Sequence, residues 1–239
     1  MQNPDAADAA APPRSDVAFV IPVYNEGEVV REVVENVLRE YRHVVCVNDC
    51  SSDNSAQEIE ATGAYLINHP INMGQGAALQ TGIEFARTIP GVEYFVTYDS
   101  DGQHQLSDVR RMLATIEEQG TDFVLGSRFL GAEAVDMPRV KRAVLKLAIA
   151  FSNATSGLRL TDTHNGLRVF NRKVAENMQI TLPDMAHASE ILDIMATNKY
   201  TYTEIPVTIV YTDYSRAKGQ SIVNAVNIAF DTLLRKVSR

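Results

Sequence analysis

Asp99 and Asp101 stand one residue apart in Tyr98-Asp99-Ser100-Asp101-Gly102-Gln103-His104, and the chemistry of this chain starts from that spacing. Two carboxylates so placed, with Gln103 and His104 just beyond, offer oxygen donors to a hard divalent cation and leave positions open for a further ligand such as a diphosphate. An isolated Asp-x-Asp is more often a solvated or helix-capping turn, so context decides. Here the context is the apolar run Tyr94 to Thr97, which reads as a buried parallel strand ending at the carboxylates. The carboxyl edge of such a sheet is where open α/β folds bind ligands.

The elements that must hold the pair there follow from periodicity. Val17 to Ile21 reads as a strand closed by Pro22-Val23-Tyr24-Asn25-Glu26-Gly27, then a helix with Val29, Val30, Val33, Val34, Val37 and Leu38 inward. His43 to Val47 is a second strand, ending in Asn48-Asp49-Cys50-Ser51-Ser52-Asp53, where Ser52 or Asp53 can cap a helix from Ser55 to Glu60. A strand over Ala64 to Asn68 leads to Asn72-Met73-Gly74-Gln75-Gly76 and a helix Ala77 to Arg87. After the Asp pair come a helix Ser107 to Gln119 and a strand Phe123 to Leu125. This alternation, with strands too continuously apolar for one-sided exposure, predicts a mainly parallel, Rossmann-like α/β sheet flanked by helices.

The second half is patterned differently. Arg139 to Phe151 is a helix with Arg139, Lys141, Arg142 and Lys146 against an apolar face, suited either to an anionic lipid surface or to packing on the core. Strands are expected over Thr163 to Phe170 and Tyr202 to Val210, and helices over Ala188 to Thr197 and Ile222 to Leu234.

At 239 residues the chain is long enough for a single domain over residues 16–239, after an Ala, Asp and Pro-rich leader over residues 1–15 that reads as disordered. Cys46 and Cys50 complete no zinc site and read as reduced thiols of a cytoplasmic protein. No apolar run is long enough to span a bilayer. The net charge of −8 is unevenly spread, residues 1–138 holding 22 of the 30 acidic side chains but only 8 of the 22 basic ones. An acidic first half suits a metal and a basic second half suits anions, whereas nucleic acid is disfavoured.

The stations at strand ends, Pro22 to Glu26, Val47 to Asp53, Asn72 to Gly76 and Asp99 to Asp101, join Gly126-Ser127-Arg128 and Arg216-Ala217-Lys218-Gly219-Gln220-Ser221. In that order they resemble the family 2 glycosyltransferases of the A-type (GT-A) fold. Asp162-Thr163-His164-Asn165-Gly166-Leu167-Arg168-Val169-Phe170 is most similar to the branch of dolichol-phosphate mannosyltransferase and bacterial polyprenyl-phosphate sugar transferases. The resemblance covers about Val17 to Ser221. It implies a nucleotide-sugar and metal half over residues 16–130 and an acceptor half over residues 131–239.

The resemblance further implies that Pro22, Tyr24, Glu26, Asp49, Gly74, Gln75 and Asp99 meet the donor, a UDP- or GDP-hexose. Asp99, Asp101 and Gln103 would approach Mg²⁺ or Mn²⁺, with Asp101 catalytic. Three positions depart from the usual pattern: Asn48 where relatives often have a second acid, Cys50 where Gly is common, and Gln75 for a frequent Lys. If the acceptor is a hydroxyl, a general base is required, and Glu190 is the candidate. If it is a lipid phosphate, no base is needed, and Arg128, Arg168, Arg216 and Lys218 match cationic positions able to bind it, with Arg128 also catalytic. The expected activity is metal-dependent, inverting hexose transfer to a polyprenyl phosphate at the cytosolic membrane face, reached directly or through a small membrane partner protein. Transfer to a saccharide hydroxyl and a degenerate, non-catalytic nucleotide-sugar-binding role are the alternatives. Homo-oligomerisation stays open.

Overall fold

Ten residues, Arg14–Val23, form β1, and every one from Val17 onward is buried, which requires cover on both faces of the strand. Side chains alternate across it: Val17, Phe19 and Ile21 pack on one side, Ala18 and Val20 on the other. The computed structural model describes residues 12–130, 146, 147, 149, 150, 152–154, 156–210 and 214. β1 thus begins inside the segment read as leader, whose residues 1–11 lie outside the described ones.

The remaining elements are α1 (Val30–Leu38), β2 (Tyr41–Asn48), α2 (Ser55–Glu60), β3 (Tyr65–Asn68), α3 (Gln75–Arg87), β4 (Tyr94–Thr97), α4 (Leu106–Gln119) and β5 (Phe123–Ser127). They are followed by β6 (Arg168–Asn171), α5 (Arg172–Asn177), a 3-10 turn (Asp184–Ala186), α6 (His187–Thr197) and β7 (Tyr202–Pro206). Among the described residues the strands make one seven-stranded sheet in the order β3-β2-β1-β4-β6-β5-β7. All pairings are parallel except those of β6, which runs antiparallel to both β4 and β5. α1 and α4 cover one face, while α3, α5 and α6 cover the other.

Two expected strands are shorter than their apolar patterns. Residues 163–167 stay irregular because side chains, not a ladder, serve their backbone: Leu167 N donates to Asn165 Oδ1, and the Gly166 carbonyl accepts from Thr97 Oγ1 on β4. The last strand ends at Pro206, with one further bond beyond it from Val207 N to the Ser127 carbonyl. The helix expected over Arg139 to Phe151 lies largely outside the described residues, as does the whole of Ile222 to Leu234. Residues 146, 147, 149, 150, 152–154 and 156 are helical, with Leu147 exposed and Ile149 buried. Among the described residues no helix is long and apolar enough to cross a membrane.

Packing is tight where α3 crosses β1 and β2. A Cβ added at Gly82 would lie 2.4 Å from Val20 Cγ1 and 3.2 Å from Val47 Cγ2. Gly82→Ala should therefore cost about 1–3 kcal/mol through overpacking, read as a lower denaturant midpoint at unchanged m-value.

Candidate active site

The carboxyl ends of β1, β2, β4 and β5 converge on a set of polar loops tied together by side-chain to backbone bonds. At the ends of β1 and β2, Asn25 N donates to Ser51 Oγ (2.9 Å), Glu26 N to Ser55 Oγ (2.8 Å) and Gly27 N to Asp53 Oδ2 (2.9 Å). Asn25 returns a bond by accepting from Ser52 N at 2.8 Å. Asp53 also accepts from Ser55 N (2.9 Å), but the N-cap position of α2 is Asn54, not Ser52 or Asp53, and its side chain makes no capping bond. Pro22 joins this loop to the Asp pair, its carbonyl accepting from Ser100 Oγ at 3.1 Å, and Tyr24 is half exposed. Tyr214 Oη donates to Glu26 Oε2 at 2.7 Å.

Asp49 is buried, and both its oxygens are engaged. Oδ1 takes Met73 N (2.8 Å) and faces His69 Nδ1 (2.7 Å), while Oδ2 takes Gly74 N (2.7 Å). The carboxylate therefore organises the loop that opens α3, with at most one of its roughly four acceptor positions left over. His69, which no sequence motif pointed to, bridges Asp49 to Thr81 Oγ1 at 3.0 Å. Gly74 has φ +88°, and a Cβ there would lie 2.6 Å from Asp184 Oδ1. One at Gly76 would lie 2.1 Å from the Leu182 carbonyl. The N-terminus of α3 is thus lined closely by the 182–184 backbone of the second half.

Asp99 and Asp101 leave β4 as expected but are held differently. Asp99 Oδ2 is 2.9 Å from His104 Nε2, and Oδ1 is 3.4 Å from Gln75 Nε2. His104 is fixed in turn by Tyr98 Oη, which donates to its carbonyl at 2.7 Å. Asp101 Oδ1 accepts from Gln103 N at 3.0 Å, and among the described residues Oδ2 has no hydrogen bond. Burial and the neighbouring Asp99 charge hold the Asp101 carboxyl above the usual carboxylate range. Burial works against the Asp99 charge too, but His104 and Arg168 outweigh it and bring Asp99 below that range. An unrelieved carboxylate pair of this kind, with one oxygen free, is a donor set that fits a hard divalent cation. Among the described residues no group of three or more His, Cys, Asp or Glu could hold a metal, and Gln103 offers a further oxygen beside the pair.

The cationic residues divide. Arg128 forms a bidentate pair with buried Asp162, Nε to Oδ2 at 2.6 Å and Nη2 to Oδ1 at 2.8 Å. Arg168 is 3% exposed, and its Nη1 has no hydrogen-bond partner among the described residues. Burial lowers its pKa to about 10, against the pull of Asp99 and Asp162. Beside it lies His187, missed by sequence reading, whose pKa falls to about 4 through burial and the Arg168 charge, leaving the imidazole neutral. Arg216 and Lys218 lie outside the described residues. Glu190, on the first turn of α6, has both oxygens committed: Oε2 accepts from Thr181 N (2.9 Å) and Leu182 N (2.8 Å), and Oε1 from Thr181 Oγ1 (2.5 Å).

Two predictions test these details. A Cβ at Gly166 would lie 2.5 Å from Asp99 Oδ2. Gly166→Ala should displace that carboxylate and cut turnover at least about tenfold while the circular dichroism spectrum is retained. Cys50 has φ +61°, a left-handed backbone that favours glycine. Cys50→Gly should stabilise the fold by roughly 0.5–1 kcal/mol in denaturant unfolding, the relieved strain exceeding glycine's entropy cost.

Known proteins are similar to this chain in sequence and in fold. The Methanococcus voltae UDP-N-acetylglucosamine--dolichyl-phosphate N-acetylglucosaminyltransferase is 29% identical over 245 residues, covering 93% of this chain and 97% of that protein. The polyprenol monophosphomannose synthase of Mycolicibacterium smegmatis is 25% identical, covering 92% and 85%. The crystal structure of glucosyl-3-phosphoglycerate synthase from Mycobacterium tuberculosis, in complex with Mn²⁺, uridine diphosphate and phosphoglyceric acid, superposes with a TM-score of 0.70 at 13% identity over 93% of this chain and 77% of that one. That structure shares the mixed α/β GT-A fold. The family model for glycosyl transferase family 2 matches residues 18–178, and the chain belongs to that family and is a glycosyltransferase.

Proposed function

We propose that this enzyme transfers a hexose from a nucleoside diphosphate sugar to a polyprenyl phosphate, with inversion by direct displacement. The observation that carries this is Arg168: a buried guanidinium beside Asp99, with Nη1 unpaired among the described residues, suits an anionic ligand. A phosphate monoester, with its second pKa near about 6, is already an anion at neutral pH and attacks without a general base. The engagement of Glu190 favours the same acceptor, because a carboxylate holding Thr181 and Leu182 is poorly placed to take a hydroxyl proton. The names of the Methanococcus and Mycolicibacterium relatives, a dolichyl-phosphate transferase and a polyprenol monophosphomannose synthase, support this reading.

The donor lies along Pro22, Tyr24, Glu26 and the Gly74-Gln75 turn. Asp49 shapes that turn and spends its remaining acceptor position on the base. One free position suits the single imide N–H of uracil better than the adjacent N–H donors of guanine, so a uridine nucleotide is favoured. Asp99, Asp101 and Gln103 would hold Mg²⁺ or Mn²⁺, which would supply positive charge to offset that developing on the leaving nucleoside diphosphate. Gln75 and His104 orient Asp99, leaving Asp101 to face the cation. Arg128 and Arg168, joined by Arg216 and Lys218, hold the acceptor phosphate, whose oxygen bonds to the anomeric carbon as the carbon–oxygen bond to the nucleoside diphosphate breaks. The lipid tail brings the enzyme to the cytosolic membrane surface, directly or through a small membrane partner; co-sedimentation with anionic liposomes tests the direct route.

The first test incubates the protein with UDP- and GDP-hexoses, Mg²⁺ or Mn²⁺ and farnesyl phosphate, and looks for the glycosyl-phosphoryl lipid by mass spectrometry. Product is expected, and it should be lost with chelator and fall at least about 10²-fold in Asp101→Ala. Glu190→Gln should keep kcat within a few fold while lowering stability, whereas a loss of about 10²-fold or more would move the acceptor to a hydroxyl. Arg168→Met should abolish transfer yet leave Tm unchanged or higher, because it removes a buried, incompletely paired charge.

A further inference from the structure

Glu204 lies on β7 opposite Leu125 of β5, away from the Asp pair, yet its carboxylate is spent on the chain that carries Asp162. Thr161 N is 2.9 Å from both Oε1 and Oε2, Thr161 Oγ1 is 3.0 Å from Oε1, and Asp162 N is 3.1 Å from Oε1. The adjoining strand supplies a second strut, Ser127 Oγ lying 2.6 Å from Thr161 Oγ1. Ser127 and Thr161 each stand one residue before a member of the Arg128–Asp162 pair. Both ends of that ion pair are therefore pinned to the β5/β7 edge, with Asp162 accepting from the Arg128 backbone N (3.1 Å) as well as from its guanidinium.

We propose that Glu204 is a positioning residue for sugar transfer, acting through Thr161 and Asp162 to set the orientation of the Arg128 guanidinium. This rests on the reading that Arg128 meets the acceptor phosphate. The carboxylate gathers two adjacent backbone N–H groups and a hydroxyl, which only a group with acceptors alone can do. A glutamine keeps the length, but its amide N–H₂ would face one of those donors, so the Thr161–Asp162 backbone must turn and carry the Asp162 carboxylate with it. A bidentate Arg–carboxylate pair transmits such a rotation directly, because its planar fork fixes the angle between the two groups. The hydrogen bonds of Glu204 go to Thr161 and Asp162, so its influence on transfer runs through Asp162.

A double-mutant cycle separates this from a merely structural role. Wild type, Glu204→Gln, Arg128→Ala and the double variant are assayed with farnesyl phosphate and the hexose nucleotide that gives product, using labelled sugar to read low rates. Stability is followed by denaturant unfolding. Glu204→Gln is expected to lower kcat about tenfold with the donor KM within about twofold, and to have less than about twofold further effect once Arg128 is Ala. Equal losses in both backgrounds would overturn the positioning role and leave Glu204 as a structural clamp. Wild-type turnover in Arg128→Ala would overturn both the positioning role and the assignment of Arg128 to the acceptor, whereas additivity on a crippled Arg128→Ala removes the first alone. If Glu204→Gln does not fold, Glu204→Asp, which keeps the charge and withdraws the acceptor by one methylene, goes through the same cycle with the same criteria.

Discussion

The desolvation of one guanidinium constrains the architecture around the site. Arg168 is the first residue of β6, paired with Thr97 on β4 and Leu125 on β5, two residues before Asp99 and three before Arg128. A buried cation in that position is costly unless opposite charges offset it, and Asp99, just beyond β4, and Asp162, on the segment leading into β6, do so. The offset is incomplete, since Nη1 finds no hydrogen-bond partner among the described residues. Burial, aided by the same charge, keeps His187 neutral, and the charge adds to the pull of His104 that holds Asp99 below the usual carboxylate range. Folded proteins seldom leave such a group unsatisfied without a use for it, and an anionic ligand is the use that fits.

The direction of β6 makes this possible. Had the strand run parallel like its neighbours, its first residue would lie at the opposite edge of the sheet, away from the Asp pair. Antiparallel insertion between β4 and β5 puts the start of β6 at the carboxyl edge of both. Gly166, immediately upstream, lets Asp99 lie against the backbone, since any Cβ there would occupy the place of its carboxylate oxygens. The two halves of the chain are thus joined at the site itself, an acidic strand end from one and a basic strand start from the other.

The donor side shows a second economy. Asp49, Asp53 and Asn25 use short side chains to satisfy backbone N–H groups in loops that no ladder serves, including those preceding α2 and α3. The left-handed residues Asn25 and Cys50 and the open dihedral of Gly74 mark the places where the chain turns most sharply to bring these loops together. Rigidity gained in this way lets a loop, not only a strand, present atoms to a ligand in fixed geometry.

The sequence by itself determined the alternation of strands and helices, the place of the Asp pair at the end of β4, and the order of motifs that resembles family 2 glycosyltransferases. Each of these is local: burial on both faces imposes continuous apolar runs, and a ligand site at a strand's end imposes polar residues just after one. Only tertiary structure decided that β6 runs antiparallel, that Glu190 holds its own loop, that Asp49 is largely consumed by the Met73–Gly74 backbone, and that Arg128 is already in a bidentate pair while Arg168 Nη1 has no hydrogen-bond partner among the described residues. Motif spacing says which side chains are present at an edge. Which of them remain available depends on partners distant in sequence, such as Asp162 for Arg128 and Thr181 for Glu190, and those pairings exist only once the chain has folded.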